Sequence, residues 1–364
     1  MRVLVLATDA FGGHGGIAKY NRDLLGALCA YPGVTEVVAV PRRAHLTLEP
    51  LPPKLTYVTA GLDSKLKYFL TVGSRLVTHG NYDIICCTHL NLLPLAYLAR
   101  WKTAARLALF IYGIDAWEPP GSTLAARLAA KVDAVISISE VTAKRFLGWA
   151  GVQREKVFLL PNAVEAGHYG VGGKNPDLLQ RYGLTGKTVL LTLGRLAATE
   201  RYKGVDEVLE LLPALAERYP DLAYLIVGDG DDRERLQEKA RRLGMGERVM
   251  FAGFIPEAEK ADHYRLADAY VMPSTGEGFG FVFLEAMACG VPVLGSTLDG
   301  SREALRDGEL GVLVDPRNRE ELRRGLLEVL QRPRGIIPPG LKHFSLENFT
   351  RRCHDMVRQI LEKG

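Results

Sequence analysis

Short apolar runs alternate with longer helical patterns along this chain, and this alternation constrains its fold more than any other feature. The runs are rich in β-branched residues and lack alternating polar positions, which is typical of parallel strands buried on both faces. Parallel strands joined by helices indicate an α/β fold. Twelve runs are predicted as strands: 3–7, 37–40, 84–87, 107–112, 134–138, 157–160, 188–193, 223–227, 249–251, 269–272, 291–294 and 312–314.

The twelve runs form two sets of six, separated by a linker-like stretch rich in Gly and Asn at 167–175. A chain of 364 residues also exceeds the size at which a single core grows easily. We therefore predict two doubly wound α/β domains in tandem, 1–168 and 169–345. An amphipathic helix at 346–364 is predicted to follow, with a crossing back to the first domain as one option.

Composition excludes several classes of protein. No apolar run reaches the roughly 18–20 residues that a spanning helix needs, and the first apolar stretch is too short for a secretory signal. Five cysteines without a C-x-x-C pair fit neither a disulfide framework nor a zinc site and indicate a reducing compartment. The chain is accordingly predicted to be cytoplasmic, with peripheral attachment to the inner face of the membrane as an option.

The charge is unevenly distributed. Residues 1–170 contain 18 Lys and Arg against 12 Asp and Glu, whereas residues 171–364 contain 28 against 30. Such an excess is most often a solvated face, but it also suits an anionic membrane or an acidic substrate. The candidate contact surface for anionic lipid comprises 66–78 with Lys65, Lys67 and Arg75, and 100–102 near Arg106.

A glycine-rich loop, Phe-Gly-Gly-His-Gly-Gly at 11–16, follows the first predicted strand. Glycines let a ligand approach the backbone, and the following helix N-terminus would favour a phosphate. A tight strand-to-helix turn explains the loop equally well. The dinucleotide pattern G-x-G-x-x-G is out of register, and Pro41-Arg42-Arg43 stand where an acidic ribose ligand is expected, so a dehydrogenase is disfavoured.

Two cations follow the first strand of the second set. Gly194-Arg195 ends that strand, and Lys203-Gly204 begins the next predicted helix. Ligands of open α/β sheets bind beyond the carboxyl ends of the strands, where Arg and Lys would neutralise a diphosphate. Solvated surface cations are the alternative.

The segment 273–293 places two carboxylates, Glu277 and Glu285, around the start of a predicted helix. Carboxylates accept hydroxyl hydrogen bonds, so this pair suits a sugar and a ribose. Pairing of Glu285 with a neighbouring cation is the alternative. Backbone N–H groups between them are predicted to meet an anion or sugar hydroxyls: Gly278, Phe279, Gly280 and Phe281.

Glu277 and Glu285, with seven residues between them in Glu-Gly-Phe-Gly-x-x-x-x-Glu-Ala-Met-Ala-Cys-Gly-x-Pro-Val, resemble the donor signature of the retaining GT-B glycosyltransferases of family 4, glycosyl transferases group 1. The resemblance spans nearly the whole chain and includes 15–21, 138–140, 161–163, 194–195 with 203–204, and 227–230. It implies the GT-B fold, in which two Rossmann-like doubly wound domains face a central cleft. Residues 1–168 would then form the acceptor side and 169–345 the nucleotide-sugar side.

The resemblance also implies roles for individual residues. Arg195, Lys203 and Glu277 would be the catalytic set: the two cations would bind the donor diphosphate, and Glu277 would hold the transferred sugar. Glu285 would hold the ribose. The remaining donor contacts would be Gly15 and Gly16 at the phosphates, Gly194 beside Arg195, and Gly253, Phe254 and Ile255 along the base.

One position departs from the family pattern. Family members often have His-Gly after the strand facing the donor sugar, whereas this chain has Tyr112-Gly113-Ile114-Asp115. Tyr112 and Asp115 are candidates for the sugar contact, and a packing role for Tyr112 is equally expected. His89 and Asn91 are candidates on the acceptor side, with a structural histidine as the alternative.

Together these features predict a retaining glycosyltransferase that moves a sugar from a nucleotide sugar, UDP preferred over GDP, to a glycan, lipid-linked or small-molecule acceptor. Front-face transfer is expected without a metal or another cofactor, and no nucleic acid is expected as a partner. Asp229-Gly230-Asp231 is interpreted as a helix cap rather than a metal site. A non-hydrolysing sugar-nucleotide epimerase and a non-catalytic nucleotide-sugar-binding protein are the alternatives.

Overall fold

The computed structural model describes residues 1–44, 48–78 and 80–362, and it divides into two compact units. The first unit contains Met1–Ala163 and Leu346–Gly364, of which 363 and 364 lie outside the described residues; the second is Val164–Ser345. The second unit begins at Val164 rather than at 169, because the backbone N–H of Val164 donates to the carbonyl of Phe344 (2.8 Å).

The first unit is built on a seven-stranded sheet in the order β3-β2-β1-β4-β5-β6-β7, with every neighbouring pair parallel. The strands are β1 (Arg2–Ala7), β2 (Glu36–Pro41), β3 (Leu55–Tyr57), β4 (Ile84–Cys87), β5 (Arg106–Ile111), β6 (Ala134–Ser137) and β7 (Val157–Leu159). Six of them were predicted. The edge strand β3 was missed because its three residues are only partly buried and form no apolar run.

Helices cover the faces of this sheet, as its apolar strands require. They are α1 (Gly15–Ala30), α2 (Lys65–Thr78), α3 (Leu93–Thr103), α4 (Ile114–Trp117), α5 (Thr123–Ala129) and α6 (Glu140–Ala150). Local sequence sets several boundaries. Ser139, for example, starts α6 by accepting a hydrogen bond from the backbone N–H of Thr142 (3.1 Å).

The second unit is built on a six-stranded parallel sheet in the order β10-β9-β8-β11-β12-β13. Its strands are β8 (Thr188–Leu193), β9 (Leu222–Val227), β10 (Val249–Gly253), β11 (Ala269–Val271), β12 (Val293–Ser296) and β13 (Val312–Val314). Its helices are α7 (Pro176–Arg181), α8 (Val205–Arg218), α9 (Arg233–Arg242), α10 (Lys260–Leu266), α11 (Phe281–Ala288), α12 (Ser301–Ala304) and α13 (Arg319–Gln331). All six predicted strands are present, and the predicted α/β fold class is confirmed for both units.

Both sheets contain a point at which the strand order reverses. In the first unit β1 lies between β2 and β4, and in the second β8 lies between β9 and β11. Crevices at the carboxyl ends of such strands are the usual binding sites of doubly wound folds. The segments that follow β1 and β8, residues 8–16 and 194–204, therefore occupy the positions at which a ligand is expected.

The C-terminal helix, α14 (Leu346–Glu362), packs on α1 in the first unit. Phe349 meets the ring of Tyr20 edge to face, with centroids 5.5 Å apart, and the imidazole of His354 hydrogen-bonds the carbonyl of Ala27 (2.9 Å). Tyr20 is itself buried and donates its hydroxyl to the carbonyl of Leu160 (2.9 Å). Among the described helices, none is both long and apolar enough to cross a bilayer.

Replacing Phe349 with Ala should destabilise the first unit by about 3 kcal/mol, because it removes a fully buried aromatic side chain from the α1–α14 contact. All three tryptophans of the chain, at 101, 117 and 149, lie in this unit. Urea unfolding followed by tryptophan fluorescence therefore measures the loss. Phe349→Leu serves as the control with a loss of about 1 kcal/mol, and equal midpoints for wild type and Phe349→Ala would contradict the prediction.

Candidate functional site

Arg195 and Lys203 lie together beyond the carboxyl end of β8. The ammonium of Lys203 is 2.5 Å from the carboxylate of Glu200, and the guanidinium of Arg195 pairs with that same carboxylate. Lys203 also donates to the carbonyl of Arg195 (3.4 Å). The Lys203 side chain is only 13% exposed, so it is not a solvated surface cation, whereas that of Arg195 is 79% exposed. No charge pattern in the sequence distinguishes Glu200 from a surface carboxylate, so it was not predicted as a site residue.

Glycines bring the loops after β8 and β9 into backbone contact. Gly228 has φ +130°, and a Cβ atom there would lie 1.9 Å from the carbonyl oxygen of Gly194. At Gly230 a Cβ atom would lie 2.2 Å from the carbonyl oxygen of Leu196. Only glycine fits at these two positions. The motif 227–230 thus holds the Arg195 loop against its neighbour.

The predicted capping role of Asp229-Gly230-Asp231 is wrong for α9. Asp231 instead accepts a hydrogen bond from the backbone N–H of Ala198 (2.7 Å), at the start of the short 3₁₀ helix that carries Glu200 and Lys203. The reason is tertiary, because the close approach of the two loops brings the backbone N–H of Ala198 within hydrogen-bond distance of the Asp231 carboxylate. Within the described part of the chain, no three His, Cys, Asp or Glu residues are grouped to hold a metal ion.

The loop that carries Glu277 is organised by Asp299, a residue that was not predicted from the sequence. This fully buried carboxylate accepts hydrogen bonds from the Ser274 hydroxyl (2.6 Å), the backbone N–H of Glu277 (2.8 Å) and that of Ser301 (3.0 Å). The available signal was Asp-Gly-Ser at 299–301, which begins three residues after β12 ends, at the same sheet edge as the loop after β11. Asp299 therefore fixes the backbone from which Glu277 projects.

The Glu277 carboxylate turns back onto its own loop. It accepts hydrogen bonds from the backbone N–H groups of Gly278 (3.1 Å) and Phe279 (3.5 Å), two of the groups predicted to meet a ligand. Burial raises the pKa of Glu277, the negative charge of Asp299 raises it further, and Lys203 opposes the shift. The positive charge of Lys203 therefore acts on the pKa of Glu277, although the two residues lie on different loops.

The rest of this loop leads into α11. Gly280, with φ +93°, directly precedes the first residue of the helix, Phe281. The Phe279 side chain is buried and packs on the ring of Phe344 at 5.4 Å. The Phe279 side chain thus belongs to the core, whereas its backbone N–H contacts the Glu277 carboxylate.

Glu285 lies one turn into α11 and is almost fully buried. It accepts hydrogen bonds from the Tyr264 hydroxyl (2.8 Å) and the Lys260 ammonium (3.2 Å). Burial alone would lower the pKa of Lys260, but Glu285 and Glu257 outweigh burial and raise it. The structure therefore shows the cation pairing that was the alternative for Glu285, and ribose binding stays a prediction.

The predicted base-binding segment Gly253, Phe254 and Ile255 leaves β10 on the way to α10, which carries Lys260. The Gly253 carbonyl accepts a hydrogen bond from the backbone N–H of Gly228 (2.9 Å), so it is already used within the unit. The side chain of Phe254 is exposed. A role for this segment toward a base stays a prediction.

In the first unit, Gly15 and Gly16 form the exposed start of α1, two residues before the predicted helix start at Ile17. Gly15 has φ +85°, which favours glycine. Earlier in the loop, the backbone N–H of Gly12 donates to the carboxylate of Glu49 (2.7 Å), which also pairs with Arg22 at 3.4 Å. A carboxylate of the chain thus already occupies one N–H group of the glycine loop.

The four candidates for the acceptor or sugar side differ in their environments. Tyr112 is a packing residue: it is buried, donates its hydroxyl to the Asn21 side chain (2.7 Å) and packs on Tyr20 at 5.1 Å. His89 accepts a hydrogen bond on Nδ1 from the backbone N–H of Asn91 (3.0 Å), a structural contact. Burial lowers the pKa of His89, so its neutral form is favoured. The Asn91 side chain is exposed.

Asp115 differs from the other three candidates because one of its buried carboxyl oxygens is unpaired among the described residues. Burial raises its pKa to about 7, and its Oδ2 atom has no hydrogen-bond partner among the described residues. It follows β5 on the short helix α4, at the carboxyl edge of the sheet. A buried, unpartnered carboxyl oxygen at this edge suits a hydroxyl ligand, so a sugar contact by Asp115 stays a prediction.

The sequence is similar to two family models. It matches "Glycosyltransferase Family 4" over residues 14–167 and "Glycosyl transferases group 1" over residues 176–338. It is 33% identical over 302 residues to a GDP-mannose-dependent alpha-(1-6)-phosphatidylinositol monomannoside mannosyltransferase of Mycolicibacterium smegmatis, covering 78% of this chain and 77% of that protein. It is 42% identical over 177 residues to a phosphatidyl-myo-inositol mannosyltransferase of Mycobacterium tuberculosis, covering 47% of this chain and 44% of that protein.

Solved structures share the fold along the whole chain. Sucrose-phosphate synthase of Thermosynechococcus elongatus superposes with a TM-score of 0.79 at 21% identity, covering 100% of both chains. Anabaena Alr3699/HepE in complex with UDP and glucose superposes with a TM-score of 0.75 at 22% identity, covering 99% of this chain and 100% of that one. At these identities the likeness shows the fold alone.

Gly228→Ala should destabilise the second unit by more than about 3 kcal/mol, because the new Cβ atom would collide with the Gly194 carbonyl in addition to straining the backbone. Thermal and urea unfolding followed by circular dichroism measures this loss. Gly244→Ala is the matched control: φ is +71° there but no atom lies within 4 Å of the new Cβ, so strain alone should cost about 1 kcal/mol. Equal losses in the two variants would refute the close-packing argument.

Proposed function

Because this chain belongs to the family 4 glycosyltransferases of the GT-B fold and uses a nucleotide sugar as donor, we propose that it is a retaining, metal-independent mannosyltransferase that acts on a lipid-linked acceptor. Family membership favours this reading over the epimerase and the non-catalytic sensor. The observation that carries the proposal is the convergence of Arg195 and Lys203 beyond β8.

The donor and acceptor are proposed from the relatives. The two mannosyltransferases named above are described as acting on phosphatidylinositol-type lipids, and one is described as GDP-mannose-dependent. We therefore favour GDP-mannose over the UDP-sugar that sequence analysis preferred. A nucleotide complex such as that of Alr3699/HepE with UDP comes from a protein of only 22% identity and does not bear on the base.

The chemistry follows from where charge develops. Breaking the bond between the sugar and the diphosphate increases the negative charge on the leaving diphosphate. Arg195 and Lys203 would stabilise that charge, with Lys203 held in place by its buried surroundings and Arg195 free to reach outward. Stabilisation of the leaving diphosphate by these two cations supports a metal-independent reaction.

Glu277 would orient the transferred sugar. Its loop is fixed by Asp299, and its raised pKa means that it gains a proton at a higher pH than an ordinary glutamate. As a carboxylate it accepts hydroxyl hydrogen bonds, and this function weakens as the pH falls through its pKa. In front-face transfer with retention, the leaving phosphate helps to deprotonate the acceptor hydroxyl, so no residue of this chain is assigned as a covalent nucleophile.

We propose in addition that α2 contacts an anionic membrane surface. One face of this helix is buried through Tyr68 and Val72, while Leu66, Phe69 and Leu70 are exposed beside Lys65 and Lys67. Apolar side chains that flank basic ones suit the headgroup region of an anionic bilayer. On α3, Trp101 is exposed beside Arg100 and Lys102 and extends the same kind of surface.

A donor panel tests the proposed reaction. GDP-mannose, UDP-glucose, UDP-galactose and UDP-N-acetylglucosamine are each incubated with the protein and phosphatidylinositol in mixed micelles, and lipid products are followed by mass spectrometry. Mannosyl lipid is expected from GDP-mannose alone, with an alpha linkage by NMR and an unchanged rate in EDTA. If a UDP-sugar gives a product and GDP-mannose gives none, the donor assignment is wrong. A beta linkage in the product would contradict retention.

Lys203→Ala should lower the rate of transfer at least tenfold while the fold is retained, because it removes a buried cation from the developing charge. Lys187→Ala is the matched control, since it makes the same charge change just before β8 begins, at the opposite end of that strand. Circular dichroism verifies folding of both variants. Unaltered turnover in Lys203→Ala would remove this residue from the proposed site.

Co-sedimentation with liposomes tests the membrane contact. Binding is expected to increase with the fraction of phosphatidylinositol or phosphatidylserine and to weaken about fivefold in Leu70→Ser. Leu124→Ser is the control, because Leu124 on α5 is exposed to a similar extent, 55% against 59% for Leu70. The proposal would be contradicted if liposome binding did not depend on anionic lipid, or if Leu70→Ser and Leu124→Ser lost binding to the same extent.

A further inference from the structure

The Arg195–Lys203 pair already holds an anion that belongs to the chain. Glu200 pairs with both cations, and its side chain is only 11% exposed. We infer that Glu200 is an internal counter-ion that the diphosphate of the donor displaces, so that donor binding is an exchange of one anion for another. This inference rests on the proposed function, because it concerns the same two cations.

The geometry leaves little room for both anions at Lys203. The Glu200 carboxylate lies 2.5 Å from the ammonium, which also donates to the Arg195 carbonyl (3.4 Å). A phosphate that reached the same ammonium would lie close to the carboxylate in a partly buried place, where like charges repel strongly. Glu200 must therefore leave, or the phosphate must bind more weakly.

The local backbone is compatible with such a movement. Glu200 lies in the 3₁₀ helix Ala198–Lys203 but has non-helical dihedral angles, φ −117° and ψ 26°, so this helix is irregular at the residue that would move. Arg195 is largely exposed and can follow an incoming diphosphate, whereas Lys203 is held by its neighbours. The exchange then requires rotation of the Glu200 side chain and leaves Lys203 in place.

An exchange of this kind has consequences for both ends of the reaction. It lowers the affinity of the site for small anions such as phosphate and pyrophosphate, which gain nothing from the base and sugar contacts. After transfer, the nucleoside diphosphate carries one more negative charge than the donor, and the returning carboxylate competes with it for the two cations. Glu200 therefore acts as a competing counter-ion that favours the donor over inorganic anions and promotes product release.

A purely structural role of Glu200 and its inferred role as a competing anion predict opposite changes in anion affinity when its charge is removed. If Glu200 only held Lys203 in position, removing its charge would weaken anion binding. If it competes with the ligand, removing its charge strengthens binding. Glu200→Gln keeps the shape and a hydrogen-bond acceptor for Lys203 while removing the charge, so the direction of the change distinguishes the two roles.

Isothermal calorimetry with pyrophosphate, GDP and guanosine on the full chain tests the inference. Glu200→Gln is expected to bind pyrophosphate and GDP about tenfold more tightly than wild type, with guanosine binding unchanged. Glu238→Gln is the matched control: it makes the same charge change on α9, where Glu238 pairs with Arg241 and Arg242, and should stay within about twofold of wild type. In the transfer assay, the KM for the donor should fall in Glu200→Gln.

Three results would overturn the inference. These are unchanged or weaker pyrophosphate binding in folded Glu200→Gln, equal tightening in Glu238→Gln, and no pyrophosphate binding in either wild type or Glu200→Gln. Sugar transfer by the same wild-type sample is measured separately. If the wild-type protein is active and any of these three results is obtained, only the inferred role of Glu200 is contradicted. If Glu200→Gln binds pyrophosphate more tightly as expected but the wild-type protein transfers no sugar, the anion exchange is supported and the proposed function is contradicted.

Discussion

Two positive charges must be held side by side in the second unit before any ligand arrives, and much of the local structure serves this requirement. Lys203 is mostly buried, and a buried ammonium is costly unless it is paired. Glu200 supplies the pairing charge, and Arg195 joins the same carboxylate from the solvent side. The first unit contains a related arrangement, in which the Glu49 carboxylate accepts the N–H of Gly12. The glycine-rich loop and the Arg195–Lys203 pair thus each already bind a carboxylate of the chain.

The second requirement is close packing of the loops that carry these charges. Gly228 lies against the carbonyl of Gly194, which leaves no space for a side chain, and the buried carboxylate of Asp299 gathers three donors around the Glu277 loop. Rigid loops of this kind pre-organise a site, because little reorganisation is needed when charge develops. The same order explains why Lys203 influences the pKa of Glu277 across two loops.

Much of the fold could be predicted from local patterns, since every one of the twelve predicted strands is present. The edge strand β3 could not, because a three-residue strand that is half-exposed has no apolar signature. The candidate site was predicted only in part: Arg195, Lys203 and Glu277 stand in a recognisable order, but Glu200 and Asp299 do not. The roles of Glu200 and Asp299 depend on which side chains lie close together in the folded protein, and these contacts cannot be predicted from the spacing of residues along the chain.

The sequence by itself determined the two α/β units, the glycine-rich loop after β1 and the residue types at the sheet edges, because strand and turn preferences are local. Tertiary structure alone decided which partner each polar group takes. Asp231 caps the Glu200–Lys203 segment instead of α9, Glu285 pairs with Lys260 and Tyr264, and Tyr112 turns inward to Asn21. Such choices follow from distances of a few ångströms between segments far apart in the chain, where the cost of leaving a buried polar group unpaired selects one partner over another.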